Sequence, residues 1–229
     1  MLMTVGAYLL YFAVLLILPL MASMRVRSTY NKYSKIANSS QMTGAQVARK
    51  ILDDNGLYNV TVEEVRGHLT DHYDPRTKTV RLSSDNYHRH SQAAAAIAAH
   101  EVGHAIQDAE EYAFLRFRHA LVPVASFGSN LSYILIFAGL IMGATEMFLF
   151  GIIFMAAAVL FQVVTLPVEF NASTRAMDHL VSSGVIRNYE ERETKKVLSA
   201  AALTYVAGAV VALLELLRFI LMFLHMNND

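Results

Sequence analysis

The chain has 229 residues, of which 55% are hydrophobic and only 17% charged, and its mean hydropathy is +0.36. A soluble domain carries about 25% charged residues, so part of this chain is expected to lie in lipid. Nineteen basic residues balance nineteen acidic ones, which excludes the basic footprint of a nucleic-acid binder. There is no cysteine, so disulfides and thiolate metal ligands are excluded as well.

Four apolar runs, over roughly 5–22, 121–142, 147–167 and 201–224, each approach the ~20 residues that a helix needs to cross a bilayer. The first has no basic segment before it, and its positive charges follow it. It is therefore expected to be an uncleaved anchor rather than a secretory signal. The fourth carries Glu215 and Arg218, three apart on one helix face. They could pair with each other, face a bundle, or mark the run as merely amphipathic.

Loop charges give an orientation. Arg25, Arg27, Lys32 and Lys35 follow the first run, and Arg175, Arg187, Arg192, Lys195 and Lys196 follow the third, whereas the turn near Gly143–Glu146 has no basic residue. The positive-inside rule then places 23–120 and 168–200 in the cytoplasm, with both termini outside. The expected organisation is an anchor helix over 1–22, a cytoplasmic domain over 23–120, and a transmembrane pair over 121–167. A cytoplasmic helical segment over 168–200 and a last transmembrane helix over 201–229 complete it.

Within 23–120 the pattern reads as a small α+β domain. In "MTGAQVARKILDDNGL", Thr43 and Gln46 have capping-box spacing, Gly56 is a natural stop, and Ala45, Ala48, Ile51 and Leu52 give one apolar face. "LYNVTVEEV" and "KTVRLS" alternate like strands, with turn chemistry in "DHYDPRTK" between them. Ser91 then caps an alanine-rich helix, "SQAAAAIAAHEVGHAIQDAEEY", whose polar flanks and short apolar run make it a soluble helix.

That helix holds His-Glu-x-x-His. His100 and His104 are four apart and project from one face, so both imidazoles can reach a single zinc ion. Glu101 falls beside the ion's open position, where it can take a proton from water and later pass it to a leaving amine. The pattern suits metal-assisted amide hydrolysis. Zinc needs a third protein ligand, and no third histidine follows at short spacing; His119 is the nearest but abuts the second span. The better candidate is Glu169 in "LPVEFNASTRAMDHL", just past Pro167, where the chain returns to the cytoplasmic side. Ser173, four residues on, could hydrogen-bond a ligand. Arg175 could stabilise a developing oxyanion or serve as a positive-inside anchor, and Asp178 lies on the same helix. His68, His72, His88 and His90 read as surface or turn residues.

"LTDHYDPRTKTVRLS", "AAHEVGHAIQDAEEY" and "LPVEFNASTRAM" together resemble the YugP-like family of membrane zinc metallopeptidases, over nearly the whole chain. More distantly the plan is similar to membrane gluzincins of the HtpX and Ste24 type. The resemblance implies a zincin-like peptidase core, which the loop charges and apolar runs set at the cytoplasmic face of a mainly α membrane protein with about four transmembrane helices. It implies one zinc ion per chain on His100, His104 and Glu169, with Glu101 as catalytic base. In the distant relatives an aspartate follows the ligand glutamate by four residues; here that place holds Ser173. In zincins an edge strand beside the active-site helix pairs with an extended substrate, which would use Thr79, Val80, Arg81 and Leu82 here; a packed strand without substrate contact is the alternative.

The expected function is a membrane zinc metalloendopeptidase, with a polypeptide substrate and the lipid bilayer as partners and no nucleic acid. Its expected setting is a bacterial cell membrane with the active site on the cytoplasmic side. The competing readings are a catalytically silent zinc-containing scaffold or adaptor and, on Glu215 and Arg218, a transporter. A missing cysteine set and only three good ligands favour the enzyme, because structural zinc sites are closed by four protein ligands. Gly139 and Gly143, four apart, allow close helix packing within the chain, against another copy, or against a membrane-protein partner.

Overall fold

A computed structural model describes residues 4–227. Helices dominate it, and among the described residues four are long and apolar enough to cross a bilayer: α1 (Val5–Tyr33), α5 (Ala113–Met142), α6 (Thr145–Ser182) and α7 (Glu191–Met226). The apolar windows of these helices have mean hydropathies between 1.7 and 2.5. The chain is a mainly α membrane protein, and its fourth apolar run is as long and apolar a helix as the others.

The chain forms two compact units. The membrane unit takes residues up to Pro19, Ala113–Pro167 and residues from Tyr205 on; the second unit takes Leu20–Tyr112 and Val168–Thr204. The changeovers at Pro19 and Pro167 fall inside α1 and α6. Proline removes one helical hydrogen bond at each place, yet α6 does not end at Pro167, where the third apolar run stops. It continues to Ser182 and so carries its polar last third into the second unit.

In the membrane unit, Ile136, Phe148, Ile152, Met155, Val159 and Phe219 form an apolar core. The turn between α5 and α6 closes with Gly143 at φ +64° and a hydrogen bond from Ala144 N to the Gly139 carbonyl, 2.9 Å. A Cβ on Gly139 would lie 2.6 Å from Phe148 N, and one on Gly151 would lie 2.6 Å from Ile136 Cγ1. The close approach that Gly139 permits is thus made within this hairpin. The charges of α7 are also partnered inside the unit. Glu215 accepts the Tyr133 hydroxyl at 2.5 Å, and the Arg218 guanidinium lies 4.2 Å from the centre of the Phe219 ring and 5.6 Å from that of Tyr11.

The second unit packs helices on a small sheet. Its strands are β1 (Thr61–Val65), β2 (His72–Asp74) and β3 (Thr79–Ser83), in the order β1-β3-β2. β1 runs parallel to β3, with Thr61 opposite Thr79, and β2 runs antiparallel to it, with Tyr73 opposite Val80. Two sequence expectations are corrected here. "DHYDPRTK" is not only a turn, because its first half supplies β2. Thr79, Val80, Arg81 and Leu82 lie in the central strand, so they cannot form the edge to which an extended peptide adds. β1 and β2 occupy both sides of β3.

Local chemistry sets the helices of this unit. α2 (Gly44–Asp54) begins with the expected capping box: Thr43 Oγ1 accepts from Gln46 N at 3.3 Å, and Gln46 Oε1 accepts from Thr43 N at 2.9 Å. It ends at Gly56, φ +71°, with Leu57 N bonded to the Leu52 carbonyl at 2.8 Å. Val47 rather than Ala45 completes its buried stripe with Ala48, Ile51 and Leu52. After the short α3 (Ser84–His88), α4 (Gln92–Ala109) starts where Ser91 Oγ accepts from Ala94 N at 3.1 Å. Its alanines are buried almost all round, against α2, α3, β2 and β3. Small side chains are what let one helix have neighbours on so many sides.

Candidate metal centre

The capping serine at position 91 and unbroken helix to Ala109 put His100 and His104 one turn apart on α4, with ring centroids 4.8 Å apart. Between them stands Gly103. A Cβ there would lie 2.7 Å from the Ala172 carbonyl oxygen of α6, so only glycine lets the two backbones meet at this depth. The contact has a chemical result. Ala172 is three residues past Glu169, and Glu169 is delivered to both histidines, with Oε2 at 3.3 Å from His100 Nε2 and 3.6 Å from His104 Nε2.

One ligand atom from each of His100, His104 and Glu169 lies within 4.8 Å of the other two. Among the described residues no other three His, Cys, Asp or Glu side chains converge in this way. The Nδ1 atoms of the histidines are taken by the protein: Ser173 Oγ lies 3.2 Å from that of His100, and Gln107 Oε1 3.0 Å from that of His104. Both Nε2 atoms are thereby left toward Glu169. Two imidazole nitrogens and one carboxylate oxygen fit a zinc ion that keeps a fourth position for water. His100 and His104 retain 13% and 12% side-chain exposure, and Glu169 2%.

Burial and charge tune each group. Glu169 is pushed up by burial, but the hydrogen bonds and charges of the two imidazoles outweigh that and hold it below the usual carboxylate range. Burial raises the Glu101 carboxyl; His100 and His104 oppose the shift, and the negative charges of Asp71 and Glu169 add to it. For His104, burial disfavours the charged ring, yet the bond to Glu169 and the charges of Glu101 and Glu169 leave its pKa raised.

The other expected site residues are placed differently. Arg175 Nε donates to Asn171 Oδ1 at 2.8 Å, and its Nη2 lies 2.6 Å from Glu110 Oε2, at the end of α4. Those contacts tie α6 to α4 and do not aim the guanidinium at a developing oxyanion. Asp178 is exposed and stands outside the converging group. His68, His72, His88 and His90 are exposed, as their context implied.

Three residues near the site have no role in the sequence reading. Gln107 is fully buried and joins His104 to α6, donating from Nε2 to the Val168 carbonyl at 2.8 Å and to Asn171 Oδ1 at 2.9 Å. Asn171 links that amide to Arg175. Asp71 accepts from Ser83 N at 2.7 Å and Asn86 Nδ2 at 2.9 Å, which fixes a negative charge near Glu101. Gln107 is three residues past His104 and polar on a buried helix, and that was the available signal.

Known proteins place this chain in a class. Residues 8–224 match a family described as "putative neutral zinc metallopeptidase", and the chain belongs to that family. A relative, the "putative membrane protease YugP" of Bacillus subtilis (strain 168), is 53% identical over 208 residues, covering 91% of this chain and 92% of its own. No solved structure matches the chain. The family implies zinc as the metal, which agrees with the donor set on α4 and α6.

Proposed function

We propose that the protein is a membrane-anchored zinc endopeptidase that hydrolyses peptide bonds of membrane or membrane-proximal polypeptides at the cytoplasmic face. The observation that carries this reading is the convergence of His100, His104 and Glu169 beside a buried Glu101. His100 Nε2, His104 Nε2 and a Glu169 oxygen would hold one zinc ion. Zinc, when bound, supplies a Lewis acid that polarises a carbonyl and brings the pKa of bound water near 7.

Glu101 is the general base. Burial raises the pKa of its carboxyl, and a carboxylate of raised proton affinity is better able to accept a proton from water and return it to the departing amine near neutral pH. The low proton affinity of Glu169 keeps it anionic and available as a ligand throughout that range. Ser173 and Gln107 orient the two imidazoles from behind. An extended substrate would add to the sheet at β2, an edge strand packed on α4, where Tyr73 is anchored by its hydroxyl to Asp108 of that helix at 2.9 Å. The basic residues after the first and third apolar runs support a cytoplasmic site.

The test is cleavage of an unfolded protein by the purified full chain in detergent, with and without Glu101→Gln. Wild type should cleave and the variant should not. Equal cleavage by both would assign the activity to a contaminant or to another base.

A further inference from the structure

We propose that Gln107, itself oriented by Asn171 and Arg175, is a positioning residue that fixes His104 in one tautomer and aims its Nε2 lone pair at the metal. The proposal rests on the zinc reading above and adds how one of the three ligands is held.

An amide can present oxygen or nitrogen in the same place, so a glutamine beside a histidine does not by itself choose a tautomer. Here its surroundings choose. Gln107 Nε2 faces two groups, the Val168 carbonyl at 2.8 Å and Asn171 Oδ1 at 2.9 Å. The first can only accept. The second accepts from Arg175 Nε at 2.8 Å, a donor without acceptor capacity, and that guanidinium is anchored 2.6 Å from Glu110. With Arg175 fixed, Asn171 must turn its oxygen inward. With two acceptors before it, Gln107 must turn its NH2 to them. Reversal would set the Gln107 oxygen against two other oxygens, and at 0% exposure no bulk water is available to relieve them. Its Oε1 therefore faces His104 Nδ1 at 3.0 Å, and that nitrogen must carry the hydrogen. Nε2, on the side of Glu169, is left as the nitrogen that gives up its proton to bind a metal.

His100 is held otherwise. Its Nδ1 meets the Ser173 hydroxyl at 3.2 Å, which can donate or accept and so imposes no tautomer. A neutral amide also orients His104 without adding negative charge beside Glu101 and Glu169, where a carboxylate would add one.

Zinc affinity of the full chain in detergent, measured by competition with a chromogenic chelator, tests this together with the absorption of the cobalt-substituted protein. Gln107→Leu should bind zinc about 10–100-fold more weakly and shift the cobalt spectrum. Asn171→Leu should weaken binding in the same direction. Asn171→Asp, which keeps an oxygen for both Arg175 and Gln107, should restore it toward wild type. A purely structural role would lower the melting temperature of the metal-free protein while leaving affinity and spectrum alone. The proposal is overturned if folded Gln107→Leu or Asn171→Leu binds zinc as tightly as wild type, or if Asn171→Asp is as weak as Asn171→Leu. The Asn171 pair keeps the test decisive where Gln107→Leu does not fold. If wild type takes up no zinc while folded, the zinc reading itself fails and this proposal falls with it.

Discussion

In the membrane unit, Gly139 and Gly151 let α5 and α6 approach until an added Cβ would reach main chain or a neighbouring side chain at 2.6 Å. In the second unit, Gly103 lets α4 meet the Ala172 carbonyl of α6 at a comparable 2.7 Å. The device is the same and the outcome differs. The first contact closes an apolar hairpin over a core of Ile136, Phe148 and Ile152. The second brings a buried carboxylate to two imidazoles. Close packing is thus generic, and what it delivers depends on the polar residues one turn away. In lipid those are few and pair locally, as Tyr133 does with Glu215. In the second unit they form connected networks, such as the one that joins His104 through Gln107 and Asn171 to Arg175.

Substitutions can break or sharpen that contrast. The largest effect on function is expected from Glu101→Gln, with hydrolysis reduced about 10²- to 10⁴-fold and zinc retained in metal analysis. Gly103→Ala comes next. Its methyl meets backbone that cannot rotate away, so the helices must part, at a cost of about 1–3 kcal/mol; thermal unfolding should show the loss, and zinc affinity should drop with it. Gly139→Ala should destabilise the hairpin by a similar mechanism, offset by about 1 kcal/mol of helix propensity, and leave zinc affinity unchanged. A loss of zinc binding in Gly139→Ala would erase the distinction between the units.

A pH titration adds a smaller, signed effect. In the metal-free protein the His104 pKa is raised above its unfolded value of about 6.5. The stabilisation it contributes is full below that value and is lost as pH rises through the raised pKa. Zinc competes with the same proton, so its stabilisation grows over that window. The gap in melting temperature between zinc-loaded and stripped protein should therefore widen on going from pH 6 upward, as differential scanning fluorimetry would record. The smallest effect is expected from Tyr133→Phe, about 0.6 kcal/mol for one hydrogen bond among membrane helices, with hydrolysis unaltered.

What could be read beforehand follows the range of the interactions involved. The capping box at Thr43, the cap at Ser91 and the four apolar helices depend on neighbours within a turn or on a run of hydropathy, and both are visible along the chain. Glu169 was accessible because its place after the third apolar run returns it to the side of the histidines. Sheet order was not accessible, since nothing local says that β2 forms within a turn-like segment or that β3 becomes central. The contacts of Arg175 are not legible along the chain for a related reason. Its partners, Glu110 and Asn171, are set by the α4–α6 contact at Gly103 rather than by spacing alone. The role of Gln107 is not legible along the chain, because an amide declares its role only once both of its ends have neighbours.

The central claim is that a carboxylate from α6 completes a metal site begun on α4. Zinc content of purified wild type and Glu169→Ala, after metal-replete preparation and with folding checked by circular dichroism, tests it most directly. Wild type should hold about one zinc per chain, as expected of a three-ligand site, and Glu169→Ala should lose it while remaining folded. A folded Glu169→Ala that keeps its zinc would contradict the account and place the third ligand elsewhere.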